Sequence, residues 1–147
     1  MIPSKLPLIL HILVETAAAR SFILQPRSQL PLERARDPAA RAEADLILKN
    51  LGGALLTTNL VAVALVLRPD DEFLDRTGRL IVLALASYHV WPAYRALARI
   101  FRPASAAAAV ERTPKSSAPF GGPPVHLAVH TVCFLGLLGS GLLGATG

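Results

Sequence analysis

Residues 46–67 read LILKNLGGALLTTNLVAVALVL. A helix over this stretch rises about 1.5 Å per residue and so reaches across a hydrocarbon core of about 30 Å. Lys49, Thr57, Thr58 and Asn59 interrupt the run, and Arg68-Pro69 closes it, because proline has no N–H to continue the helical ladder. Three further stretches qualify on the same argument. Residues 6–24 end at Gln25-Pro26 and carry His11, Glu15 and Arg20. Residues 80–101 end at Arg102-Pro103, with Arg95 and Arg99 in the last turns, where long side chains snorkel to the interface. Residues 125–145 follow Gly121-Gly122-Pro123-Pro124 and hold no formal charge. The fold expected is all-α, an integral membrane four-helix bundle formed by a single domain over residues 1–147.

Composition supports lipid as the solvent. Only 17% of the 147 residues are charged and 52% are apolar, against about 25% charged in ordinary soluble domains. The net charge of +5 does not form a nucleic-acid stripe, because the Lys and Arg residues fall between apolar runs, and no nucleic-acid partner is expected. Lys5, Arg68, Arg76 and Arg79 lie on the side of the termini and the other eleven on the opposite side. Positive loops tend to stay cytoplasmic, so both termini should be lumenal or exterior; this bias fits the endoplasmic reticulum. Residues 25–45 form a polar connection with an interfacial helix over Arg34–Asp45, and residues 104–124 an Ala/Ser/Pro-rich flexible loop. The first span has one competitor, a signal peptide, since Lys5 precedes an apolar run and Ala17-Ala18-Ala19 resembles a cleavage site; Glu15 and His11 argue for a retained helix.

Ionisable groups at mid-membrane depth cost several kcal/mol and so mark function or helix packing. Glu15 lies near the centre of the first span, with His11 one turn earlier on the same face. His89 falls halfway along the third span and Asn59 just past the centre of the second, so the antiparallel helices can bring these depths together. His11, Glu15 and His89 are the candidate acid-base residues. Asn59, Tyr88, Trp91 and His130 are candidates for orienting a substrate, although Asn59 also serves as helix glue and Trp91 and Tyr88 as interface anchors. Pro92 frees the carbonyl of Tyr88 and allows a kink beside His89. His126 and His130, four residues apart, fall short of a metal site on spacing, and no phosphate-binding glycine motif is present; neither a metal nor a cofactor is expected. Cys133, the single cysteine, has no internal disulfide partner. Gly136, Ser140 and Gly144 form a small-xxx-small stripe for packing within the bundle or between copies.

The segment His11-Ile12-Leu13-Val14-Glu15 resembles the opening helix of the EXPERA membrane domain of sterol isomerases. The resemblance implies a four-helix membrane fold in which His11 and Glu15 move a proton across a carbon-carbon double bond without a cofactor. The family adds a carboxylate on the next helix; here the second span offers Thr57, Thr58 and Asn59 instead. The span layout is also similar to small four-span proteins of unknown function, fungal and DoxX-like. Two functions of different class follow. One is a membrane-embedded acid-base enzyme, an isomerase or cyclase, acting on an apolar sterol- or terpenoid-like substrate. The other is a non-enzymatic subunit, assembly factor or lipid-binding protein, and a proton-coupled carrier is a third reading.

Overall fold

The computed structural model describes residues 5–26, 38–101 and 122–143, and these are helical with no strand among them. The helices are α1 (Leu6–Leu24), α2 (Pro38–Val66), α3 (Asp70–Phe73), α4 (Arg76–Tyr88), α5 (Val90–Ile100) and α6 (Gly122–Leu143). Counting α4 and α5 as one crossing, four helices are long and apolar enough to span a membrane. The outer surface is apolar: Leu13, Leu60, Val132 and Leu143 are each more than half exposed, while histidines and a glutamate lie inside. That inversion is what a lipid solvent requires, since hydrocarbon accepts leucine and penalises charge.

Helix boundaries follow local chemistry. The second crossing starts at Pro38 rather than Leu46, so the segment read as an interfacial helix runs straight into the span; Ala39 to Asp45 contains good helix formers and no breaker. Pro38 sits in the first turn, where its missing N–H is harmless. Pro123 and Pro124 occupy the same kind of position in α6, just after Gly122 with φ +77°. The third crossing begins at Arg76, because Asp75 caps it by accepting from the Gly78 N–H at 2.7 Å. It is interrupted once, at His89, whose N–H bonds to the Ala86 carbonyl at 3.0 Å. Pro92 cannot donate to Tyr88, so the ladder breaks there and a single residue turns out of register. Most of the loop at 104–124, residues Arg34–Asp37 and Gly144 lie outside the described residues.

The helices pack as two pairs. α1 lies chiefly along α2, and α4 and α5 chiefly along α6; lesser contacts between α1 and α6 and between α2 and α4 join the pairs. At the terminal side the seam is apolar, with Leu8, Ala62, Leu65, Phe73, Val82, Leu85, Ala86 and Leu137 in one cluster. Within the first pair, Gly52 sits against α1, where an added Cβ would lie 2.6 Å from Ile23 and 3.1 Å from the Ala19 carbonyl. Within the second, a Cβ on Gly141 would lie 2.7 Å from Leu83. Close approach at small residues substitutes for the hydrophobic drive that lipid does not supply. Gly136 of the small-residue stripe meets Pro7 of α1, at 3.2 Å from an added Cβ.

Charged groups tie the terminal side. Lys5 donates to the Arg68 carbonyl at 2.8 Å and pairs with Asp70 at 2.5 Å. Arg68 grips Asp75 with both nitrogens, at 3.0 and 2.7 Å. Arg68, helped by the Gly78 N–H, holds the Asp75 carboxyl at about 2.

Two outcomes follow. Replacing Gly52 by Val should cost about 1–3 kcal/mol through overpacking, whereas Gly53→Ala, where a Cβ meets nothing within 4 Å, should be neutral or stabilising; thermal melts in detergent compare them. Because the folded value of Asp75 is depressed, its contribution is complete above its unfolded value and is lost as pH falls from about 4 toward 2. Acid melts of wild type and Asp75→Asn should therefore converge in that window.

Candidate functional site

Above the apolar layer the seam between the two helix pairs is polar. His11 and Glu15 enter from α1, His89 from the break between α4 and α5, Tyr88 from the end of α4, and His130 from α6. His11, Glu15 and His89 are fully buried and His130 is 7% exposed. At the turn between α4 and α5, the His89 ring lies between His11 of α1 and His130 of α6.

His89 is the hub. Its Nε2 lies 2.9 Å from His11 Nδ1 and its Nδ1 lies 2.9 Å from His130 Nδ1. The rings of His11 and His89 meet edge to face at 5.1 Å between centroids, and those of His89 and His130 lie 5.2 Å apart. Neutral imidazole has one donor and one acceptor. If His89 donates to His130 it must accept from His11, and if it donates to His11 it must accept from His130. The three tautomers are thus locked together.

Glu15 lies beside this row. Its Oε2 accepts from the Tyr88 hydroxyl at 3.1 Å. Its Oε1 is 3.7 Å from His89 Nδ1 and 3.8 Å from His130 Nδ1, beyond hydrogen-bond range, and has no partner among the described residues. The same holds for His11 Nε2. His11, Glu15 and His89 each bring a ligand atom to within 4.8 Å of the others. Buried polar atoms without partners are rare, and here they face a set of strong donors and acceptors.

Of the residues singled out from sequence, Glu15, His11, His89, Tyr88 and His130 converge. Asn59 stands next to them, donating to the Thr16 hydroxyl at 3.1 Å while its own carbonyl is buried without a partner among the described residues. Trp91 does not join: it is 72% exposed, on the part of the crossing beyond the turn at His89. His130, read as a substrate contact, hydrogen-bonds His89 and so belongs to the histidine row. His126, one turn earlier, is exposed and contacts the Gly122 carbonyl at 3.0 Å, with its ring 6.3 Å from that of His130. Thr16 and Cys133 were not among the candidate site residues. Cys133 is wholly buried one turn beyond His130, and the His-x-x-Cys spacing on one helix face was the signal for it. A cavity of about 230 Å³ lies elsewhere, lined by Leu74, Arg76, Arg79, Leu80 and Leu83, and touches none of the cluster.

Compared with protein-family models, with curated proteins and with solved structures, the chain matches none. The geometry of the cluster therefore carries the functional argument.

Tyr88→Phe keeps the ring and removes the donor, which leaves both oxygens of Glu15 without a hydrogen bond. Stability should fall by about 1–3 kcal/mol, read from reversible unfolding in mixed micelles; an unchanged midpoint would show that the Tyr88 bond is not made in the membrane protein.

Proposed function

We propose that this is a multi-pass integral membrane protein whose working part is a buried cation site at the seam between the two helix pairs, with Glu15 exchanging a proton and His11, His89 and His130 relaying it. The observation that carries the reading is Oε1 of Glu15, without a partner among the described residues and enclosed beside two histidine nitrogens at 3.7 and 3.8 Å. A carboxylate there is unsatisfied as an anion without a bound cation or proton, since burial of an uncompensated charge is costly. The enclosure also favours a small occupant. His126, exposed one turn from His130, gives the row an end at the protein surface.

A second reading is favoured by Tyr88. This phenol is only half-buried and donates directly to Glu15, so a lipid-dissolved molecule lying against it would come near the carboxyl. On that reading the centre is an acid-base enzyme, an isomerase or cyclase for an apolar sterol- or terpenoid-like substrate. The EXPERA-like pair His11 and Glu15 would then be completed by histidines from the third and fourth crossings in place of the family's second carboxylate. Proton transfer at a positioned carboxyl contributes about 10²–10⁴-fold to such reactions.

The test of the first reading is infrared difference spectroscopy on protein reconstituted in liposomes, stepped between acid and alkaline buffer. Wild type should show a protonated-carboxyl band that changes with pH together with histidine ring bands, and Glu15→Gln should lack it. A band that persists in the variant assigns the proton elsewhere and ends the proposal. For the second reading, membranes holding equal amounts of wild type and Glu15→Gln should differ in their apolar lipid extracts, and identical extracts would exclude it.

A further inference from the structure

The site's dimensions suit an occupant larger than a proton. Glu15 Oε1, His89 Nδ1 and His130 Nδ1 form a triangle with sides of 2.9, 3.7 and 3.8 Å. The centre of a triangle with those sides lies about 2.0 Å from every corner, which is the length of zinc bonds to imidazole nitrogen and carboxylate oxygen. Three donors from three different crossings thus lie equidistant from one point, at bonding distance.

We propose that Glu15, His89 and His130 form a binding site for a divalent transition-metal ion of the zinc type, with His11 as the positioning residue behind it. This deepens the buried-cation reading and rests on it. The donor set of two imidazoles and a carboxylate is that of first-row divalent ions such as zinc, cobalt(II) and iron(II). The supporting contacts match as well. A ligating histidine fixes its tautomer by donating its other ring N–H. With Nδ1 of His89 on the metal, Nε2 carries the proton and donates to His11 Nδ1 at 2.9 Å. Glu15 Oε2 is held by the Tyr88 hydroxyl, which leaves Oε1, the atom without a partner among the described residues, free to bind. Loading displaces the proton held by Glu15, while the proton between His89 and His130 moves to an outer ring nitrogen, so one proton is released. It also joins α1 to the second helix pair across the seam, where helix packing is sparse.

The experiment uses full-length protein without an affinity tag, purified in detergent and titrated with cobalt(II) and with zinc. Wild type should bind one ion, release protons on loading and melt at a higher temperature when loaded. Glu15→Gln and His130→Ala should lose the ion, and His11→Phe should bind about 10–100-fold more weakly, the usual cost of removing a supporting hydrogen bond. X-ray absorption of the cobalt-loaded wild type should show nitrogen and oxygen neighbours and no sulfur, a result that does not depend on any variant folding. A sulfur neighbour would assign the ion to Cys133 and overturn this ligand set. Absence of binding in wild type, or binding that survives in folded Glu15→Gln and His130→Ala, overturns the metal site. If wild type binds no ion but keeps the Glu15 carboxyl band, the metal inference fails alone; if that band is absent from metal-free protein as well, the cation-site reading fails with it.

Discussion

The bundle is organised around a carboxyl group that lipid will not accept. Glu15 is fully buried on α1, and an ionisable group at membrane depth must find partners inside the protein. Those partners come from the other helix pair: Tyr88 directly, His89 and His130 at slightly longer range. Because apolar side chains gain little by leaving lipid for one another, such polar contacts and close backbone approach supply much of the drive for assembly. The two mechanisms divide the work. Gly52 and Gly141 bring helices close within each pair, and the Glu/His layer joins one pair to the other.

The break at His89 serves this arrangement. A proline placed three residues on removes one ladder bond, and the residue that turns is the one whose ring has hydrogen-bonding neighbours on both nitrogens. Helix irregularity inside a membrane is tolerated where side chains or neighbouring helices satisfy the freed groups. Here the irregularity sits beside the most polar part of the interior.

The crossings were legible in the sequence because apolar length is a direct requirement of the bilayer, and the first crossing was read with the bounds that α1 has. The convergence of Glu15, His11 and His89 followed from matching depths in antiparallel helices. What depth could not supply was rotation. Depth alone did not show that His130 would join the histidine row, nor that Trp91, three residues from Tyr88, would face outward at 72% exposure. The arrangement of ligand atoms was hidden for a related reason. Spacing within one helix drew attention to His126 with His130, whereas the compact triangle takes one residue from each of three crossings, a juxtaposition that no local spacing encodes.

The locked tautomers of His11, His89 and His130 give the interior an electrical polarity with two settings. A proton passed along the row would reverse donor and acceptor at both junctions while the backbone stays where it is. Restoring the first setting requires either a proton travelling back or rotation of rings that are packed edge to face and fully enclosed at His11 and His89. Once a proton had passed, such a row would hold the direction of that transfer, as a latch does and a wire does not.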